Sequence, residues 1–344
     1  MIFEQIATGG CQSYLVGCEA TGAAVLIDPE HSQIDRYVGL AHQNGVRIRY
    51  IIDTHTHADH FSASREMGQA LSAPVVMYRT SPAPHTDMRL DDGDMLIVGN
   101  LRLSALHTPG HTKDSMCLVM DDRVFTGDTL LIGSTGRTDL PSGDPHALFD
   151  SLFQKLLKLP AETLVYPAHD YKGRSHSTIG TEISQNPRLQ KTDRSEFVDM
   201  MQHLDLSAPT HLTEALRTNM TGGKSVAQLL SEAGAKVPFM SLAELRERIG
   251  GNSRDLVIVD VRELDAFAKA HIPGARHLPR GQLELRVNTE FPDPTVRMVT
   301  CCEFGKISTL AAATLRELGF NRATALDGGM NAWRDAEYPL ESVG

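Results

Sequence analysis

Apolar residues along this chain fall into short runs of two periods. The segments "SYLVG" (13–17) and "AAVLIDP" (23–29) have the length and β-branched content of strands. "SQIDRYVGLAHQNG" (32–45) instead spaces its apolar residues for one face of a helix, and Gly45 stands at the C′ position that closes it. "RIRYIID" (47–53) predicts a further strand and "SASREMGQALS" (62–72) a helix. "MLIVGN" with "LRLSALHT" predicts a hairpin turning at Gly99 and Asn100, and "SMCLVMDDRVFTGD" another turning at Asp121 and Asp122. A helix over "DPHALFDSLFQKLLKLP" and a strand over "TLVYPAHD" follow. Sheets covered by helices are the expectation for this half.

The pattern weakens over "TGGKSVAQLLSEAGAK" (221–236), where glycine and small polar residues flank a short helical stretch. Beyond it, "SLAELRERIG", "LVIVDV", "LDAFAKAHIPG", "VRMVTC", "STLAAATLRELGF" and "ATALDGG" alternate helix and strand, the signature of a mainly parallel sheet. We therefore expect an α/β chain of two domains, 1–222 and 237–344, joined by a linker at 223–236.

Charge narrows the partners. A formal net charge of -10 repels phosphate backbones and anionic lipid, so neither nucleic acid nor a membrane surface is expected. No apolar run reaches the roughly 20 residues that span a bilayer, and "MIFEQIATGG" lacks the features of a signal or transit peptide. Five scattered cysteines do not form a disulfide framework, which points to a reducing, cytoplasmic setting. Homo-oligomer formation is left open.

The first chemistry-bearing stretch is "IIDTHTHADH". It places His55, His57, Asp59 and His60 behind a strand, and His111, Asp128 and His169 each follow or end a later strand. Imidazoles and carboxylates on strand-end loops suit zinc, iron or manganese, and the absence of nearby Cys argues against a structural thiolate site. Seven such residues permit one metal or two.

With "FTGDTLLIGSTGRTDL", "YPAHDYKG", "NPRL" and "EFVDMM", residues 1 to about 222 resemble the persulfide dioxygenases of the metallo-β-lactamase superfamily. The resemblance implies an αββα sandwich holding one Fe(II) through His55, His111 and Asp128. Two histidines and a carboxylate on one face leave positions open for sulfur and O2. His57, Asp59, His60 and His169 then orient and tune those ligands. Arg137 and Tyr171 match positions that hold glutathione, and a guanidinium and a phenol suit its carboxylates.

The second stretch is "TCCEFGKIS". Cys302 lies between a strand and a helix, where backbone N–H groups stabilise a thiolate or a persulfide. With "IVDVRE", "FAKAHIPGARHLP" and "LDGGMNAW", residues 237–344 resemble a rhodanese domain. Cys302 matches its sulfur-carrying cysteine, and Glu303, Phe304, Gly305, Lys306, Ile307 and Ser308 form its loop. Many such loops carry Arg where Ile307 stands, and Glu303 adds negative charge, which weighs against dianionic thiosulfate. Cys301 is expected to be inert. Asp260 and Arg262 fit a structural ion pair and substrate contacts equally well, and Trp333 is expected in the core.

Together these imply oxidation of glutathione persulfide by O2 to sulfite and glutathione, coupled to rhodanese sulfur transfer involving thiosulfate. A two-zinc glutathione-thioester hydrolase of glyoxalase II type bearing a sulfurtransferase domain shares the seven ligands. A non-catalytic sulfur carrier is the third reading.

Overall fold

The computed structural model describes residues 1–204, 212–251 and 256–343, which cluster into two units, Met1–Gly223 and Lys224–Gly344. In the first unit, strands β1 (Ile2–Thr8), β2 (Cys11–Cys18), β3 (Ala23–Ile27), β4 (Arg47–Ile52), β5 (Val75–Tyr78) and β6 (Met88–Leu90) lie side by side in chain order. The pairings from β1 to β3 are antiparallel and those from β3 to β6 parallel.

The next four strands are β7 (Met95–Val98), β8 (Leu101–His107), β9 (Met116–Val119) and β10 (Arg123–Gly127). A small hairpin, β11 (Leu130–Leu131) with β12 (Ser134–Thr135), precedes β13 (Leu164–Pro167) and β14 (Ser177–Thr178). The second sheet runs β14–β13–β10–β9–β8–β7.

Strand alternation sorts the side chains into layers. Tyr14, Val16, Val25, Ile27 and Ile52 of the first sheet meet Leu103, Met116, Leu118, Phe125 and Tyr166 of the second in one buried cluster. On the outer face of the first sheet, Leu15, Ala24, Leu26 and Ile51 pack on helices Ile34–Gln43 and Ser64–Leu71 through Tyr37, Ala41 and Met67. On the outer face of the second, Val124 and Val165 pack on Leu148, Leu152, Phe197 and Met201. The result is a helix–sheet–sheet–helix sandwich.

Gly45 takes φ +64° just beyond Asn44, closing helix Ile34–Gln43 as its C′ residue. The run expected as one helix over 144–160 changes winding twice. It is α-helical at Pro145–Asp150, π at Ser151–Lys155 and 3-10 at Leu156–Lys158, while Leu148, Leu152 and Leu156 keep one buried face.

In the second unit, β15 (Phe239–Met240), β16 (Leu256–Asp260), β17 (Arg276–His277), β18 (Arg297–Cys301) and β19 (Ala323–Leu326) form a sheet in the order β15–β19–β18–β16–β17, every pairing parallel. Val259 and Met298 face one buried cluster and Ile258 and Val299 the other, which contains Trp333. Residues 223–236, expected as a linker, contain helix Val226–Lys236, capped by reciprocal Ser225 and Gln228 bonds. This helix lies against helix Lys306–Glu317.

Within the two-sheet core Phe125 is 1% exposed, and its ring lies 5.0 Å from that of Tyr14 and 5.8 Å from that of Tyr166. Phe125→Ala is expected to lower stability by about 3–5 kcal/mol, read from the denaturant midpoint of the first transition.

Candidate metal centre and sulfur-transfer loop

The metal-capable residues meet where strands of both sheets end. β3 and β4 run parallel, so the residues after them are neighbours: Asp28 accepts from the Thr54 N–H at 2.7 Å and from the Thr54 hydroxyl at 2.9 Å. The hydroxyl proton of Thr54 is thereby spent, and Nδ1 of His55, 3.0 Å from that oxygen, must donate to it. Nδ1 of His111, on the loop after β8, likewise donates to the Arg137 carbonyl at 2.8 Å. Both rings therefore present Nε2 as a free lone pair.

Those two nitrogens converge on one oxygen. Nε2 of His55 and of His111 lie 3.9 and 3.5 Å from Oδ2 of Asp128, and all three ligand atoms fall within 4.8 Å of one another. His55 Nε2 is buried without a hydrogen-bond partner. Burial, helped by the neighbouring His57, holds the His55 ring down to about 3, so it is neutral and ready to ligate at neutral pH. Gly136 underlies the group, since a Cβ there would come 1.9 Å from the Asp128 carbonyl and 3.0 Å from the His111 side chain. The donor set fits a divalent metal with open positions.

A second cluster adjoins it. His169 Nδ1 donates to Asp128 Oδ1 at 2.6 Å, and its Nε2 lies 2.6 Å from Asp59 Oδ2. Burial disfavours a charged His169, but Asp128 and Asp59 outweigh it and raise its pKa well above the usual imidazole range. Burial likewise opposes ionisation of Asp59 and Asp128, and the His169 cation holds both carboxyls well below theirs. Contrary to the expectation that no cysteine lies nearby, Cys11 joins this cluster because β2 begins at the same sheet edge, its thiol 3.7 Å from His60 Nδ1 and 3.8 Å from Asp59 Oδ2.

His57 turns Nε2 to Asp28 at 3.2 Å, while its Nδ1 is buried without a partner, as is Nε2 of His60. Asp28, Thr54 and Cys11 escaped the sequence reading. The "IDP" that ends β3 was the available signal for Asp28, since it places a carboxylate at the same sheet edge as the histidines.

A cavity of about 700 Å³ opens onto His111, Asp128 and His169, and Arg137, Tyr171 and Arg174 line its mouth. Arg137 holds Asp139 through Nε and Nη2, each at 2.6 Å, in the bidentate geometry that also suits a ligand carboxylate. Tyr171 is 75% exposed, and its ring stacks on His169 with centroids 5.9 Å apart. Gly10, at φ +108°, lets that ring approach, because a Cβ there would come 2.5 Å from it.

In the second unit Cys302 follows β18 and is 2% exposed. Its Sγ accepts from the Ser308 N–H at 3.2 Å and lies 3.3 Å from the Ser308 hydroxyl. The N–H groups of Met330 and Asn331 hold the Cys302 and Glu303 carbonyls at 2.8 and 2.9 Å, fixing how the loop leaves the strand. Gly305 opens helix Lys306–Glu317 at φ +83°. Cys301 faces the opposite side of the sheet, fully buried, and burial drives its pKa well up. Asp260 and Arg262 form a buried ion pair at 2.6 Å.

Fold and site define a metal-dependent enzyme of metallo-β-lactamase type joined to a rhodanese-type sulfur-transfer domain. Comparison with known proteins agrees: the metallo-beta-lactamase superfamily pattern is matched at residues 6–97 and 78–169, and the rhodanese-like domain at 241–336. The human protein named persulfide dioxygenase ETHE1, mitochondrial, is 38% identical over 214 residues, 61% of this chain and 84% of that protein. The crystal structure of ETHE1 from Myxococcus xanthus is 41% identical with a TM-score of 0.63, covering 65% of this chain and 100% of that one. A metallo-beta-lactamase structure from Staphylococcus aureus shares the fold alone, at 23% identity and a TM-score of 0.60, over 95% of this chain and 98% of that one. The chain belongs to the persulfide dioxygenase family, with a rhodanese-like domain following the metal-binding one.

Thr54→Val removes the oxygen that sets the His55 tautomer. Metal affinity is expected to fall about 10–100-fold, as for other groups that orient ligands, with the circular dichroism spectrum retained; competition with a chelator measures it.

Proposed function

We propose that the first domain oxidises glutathione persulfide with O2 and that Cys302 of the second carries sulfur. The overall reaction is GSSH + O2 + H2O → GSH + SO3²⁻ + 2 H⁺. The observation that carries the reading is the division of Asp128: one oxygen is engaged by His169, and the other faces Nε2 of His55 and His111. Two imidazoles and one carboxylate oxygen would hold Fe(II), one per chain. Fe(II) supplies open coordination positions for sulfur and O2 and the electrons that let O2 react with sulfur.

The chain's own residues position the substrate. Arg137 is suited to grip a glutathione carboxylate, exchanging part of its pairing with Asp139. Tyr171, exposed beside the metal ligands, can donate its hydroxyl to the peptide portion of the substrate. His57, Asp59, His60 and His169 hold the charge and orientation of the ligands from behind. His169 matters most, because it keeps Asp128 ionised and fixes which oxygen faces the metal.

Cys302, with the Ser308 N–H on its sulfur, would hold a persulfide between donor and acceptor. Both halves handle glutathione persulfide, so one chain could form it from thiosulfate and oxidise it, or return sulfur to sulfite. All five cysteines are free thiols, which suits a reducing compartment such as the cytoplasm; among the described residues no helix is long and apolar enough to cross a membrane.

Oxygen uptake tests the iron site. Fe(II)-loaded protein is expected to consume O2 and release sulfite on adding glutathione persulfide, and metal-stripped protein is not. Asp128→Ala should lose both iron and uptake; retention of either discards the triad. Uptake absent from verified iron protein, with hydrolysis of glutathione thioesters by zinc protein, would establish the hydrolase instead. Cys302→Ser should abolish sulfur transfer from glutathione persulfide or thiosulfate onto the second domain while persulfide-driven oxygen uptake continues. Sulfur transfer that survives in this variant discards Cys302 as the carrier.

A further inference from the structure

The mouth of the Cys302 loop carries a charge arrangement that the reaction alone does not require. Two arginines approach it. Arg262 arrives from the end of β16, its side chain 7% exposed, and pairs with Asp260 through Nη2 at 2.6 Å. Its Nη1 turns the other way and meets Glu303 Oε2 at 3.2 Å. Arg334, on helix Gly329–Asp335, pairs with the other oxygen of the same carboxylate. Glu303, the residue after the sulfur-carrying cysteine, thus bridges both guanidiniums. With Asp260 and Glu303 set against Arg262 and Arg334, these four charges sum to zero.

Apart from Lys306, a single exposed cation that opens the helix, the rest of the lip is apolar. Phe304 is 67% exposed and Ile307 52% exposed, on either side of Gly305. Two large hydrophobic side chains left in water beside a nearly buried thiol form a surface that an apolar or carbon-bearing ligand can cover. A small inorganic dianion gains nothing from them. Lys306 offers it one point charge, but the paired, bidentate contacts must come from the guanidiniums, and to use them it must displace a carboxylate already held at both oxygens.

We infer that Glu303 is a specificity-determining positioning residue: by occupying Arg262 and Arg334 it makes the Cys302 loop a poorer site for inorganic dianions than for organic persulfides, which Phe304 and Ile307 suit. The inference rests on the proposed role of Cys302 as sulfur carrier and names the donor class that this cysteine takes. In an organic persulfide the atom beside the transferable sulfur is an uncharged sulfur on carbon, and charged groups sit several bonds away. In thiosulfate that neighbour is a sulfonate group that must itself lie against the lip.

The step is the same for both donors. The Cys302 thiolate attacks the outer sulfur of RSSH, the new S–S bond forms as the old one breaks, and RS⁻ leaves with the electron pair: CysS⁻ + RSSH → CysSSH + RS⁻. With thiosulfate, CysS⁻ + S2O3²⁻ → CysSS⁻ + SO3²⁻. Neither needs an outside oxidant or reductant. The donors differ in the leaving group, and that is where Glu303 acts.

The test loads Cys302 in the full-length chain under anaerobic conditions, so that O2 cannot consume the persulfide. Mass spectrometry of the quenched protein reads the gain of one sulfur atom on Cys302. In the wild-type protein, kcat/KM for loading by glutathione persulfide is expected to exceed that by thiosulfate. Glu303→Gln keeps the shape and removes the charge. It should raise the ratio of thiosulfate to glutathione persulfide loading about tenfold or more, the scale of one charge-assisted contact regained, with the gain appearing in KM for thiosulfate rather than in kcat. Glu303→Ala should shift the ratio in the same direction.

A wild-type protein that takes thiosulfate as readily as glutathione persulfide would overturn the inference, as would unchanged ratios in both folded variants. If neither donor loads Cys302 in any form of the protein, the sulfur-carrier reading itself falls and takes the inference with it. Loading by glutathione persulfide with no gain for thiosulfate defeats the inference alone.

Discussion

The metal-binding half depends on how one carboxylate is shared. Asp128 leaves β10 with its two oxygens facing different partners, a buried His169 on one side and two imidazole nitrogens on the other. An ionised carboxylate cannot be buried alone without a penalty of several kcal/mol. The charge of His169, itself stabilised from behind by Asp59, offsets that penalty. The ligand geometry is thus held by an alternating chain of acid, base and acid, which is why so many titratable groups sit in one place.

That chain also distinguishes the two halves of the seven-residue constellation. His55 and His111 each spend Nδ1 on oxygens that admit only one tautomer, so the Nε2 lone pair of each is fixed by the protein alone. Asp59, His60, His169 and Cys11 also stand close enough together to hold a metal ion, with Nε2 of His60 and of His169 buried without a hydrogen-bond partner. What sets this group apart is its acid–base pairing, His169 lying between Asp59 and Asp128.

Much of this was legible from residues alone. Strand periodicity placed β2, β3, β4 and the two hairpins correctly, and it put His55, His111 and Asp128 on loops after strands. β1 was not seen, since its side chains are mostly half-buried and show no clean alternation. The changes of winding along 145–158 were equally hidden, because π, α and 3-10 turns bury similar apolar spacings. At the site, residue types named the candidates, but the role of Thr54 could not be read. It depends on β3 lying beside β4, a fact of pairing rather than of local sequence. The same holds for Glu303, whose negative charge was visible but whose bond to Arg334 needed the fold.

Cys301 and Cys302 are adjacent in sequence yet belong to opposite faces of the parallel sheet, each packed in a different core. The backbone between them acts as an insulating partition for sulfur chemistry. Under the proposed role, a sulfur atom on Cys302 would be kept by the sheet from collapsing into a disulfide with Cys301. Its release would then depend on a molecule arriving from solvent, and the supply of acceptor, rather than the chain's own second thiol, would set the lifetime of the loaded protein.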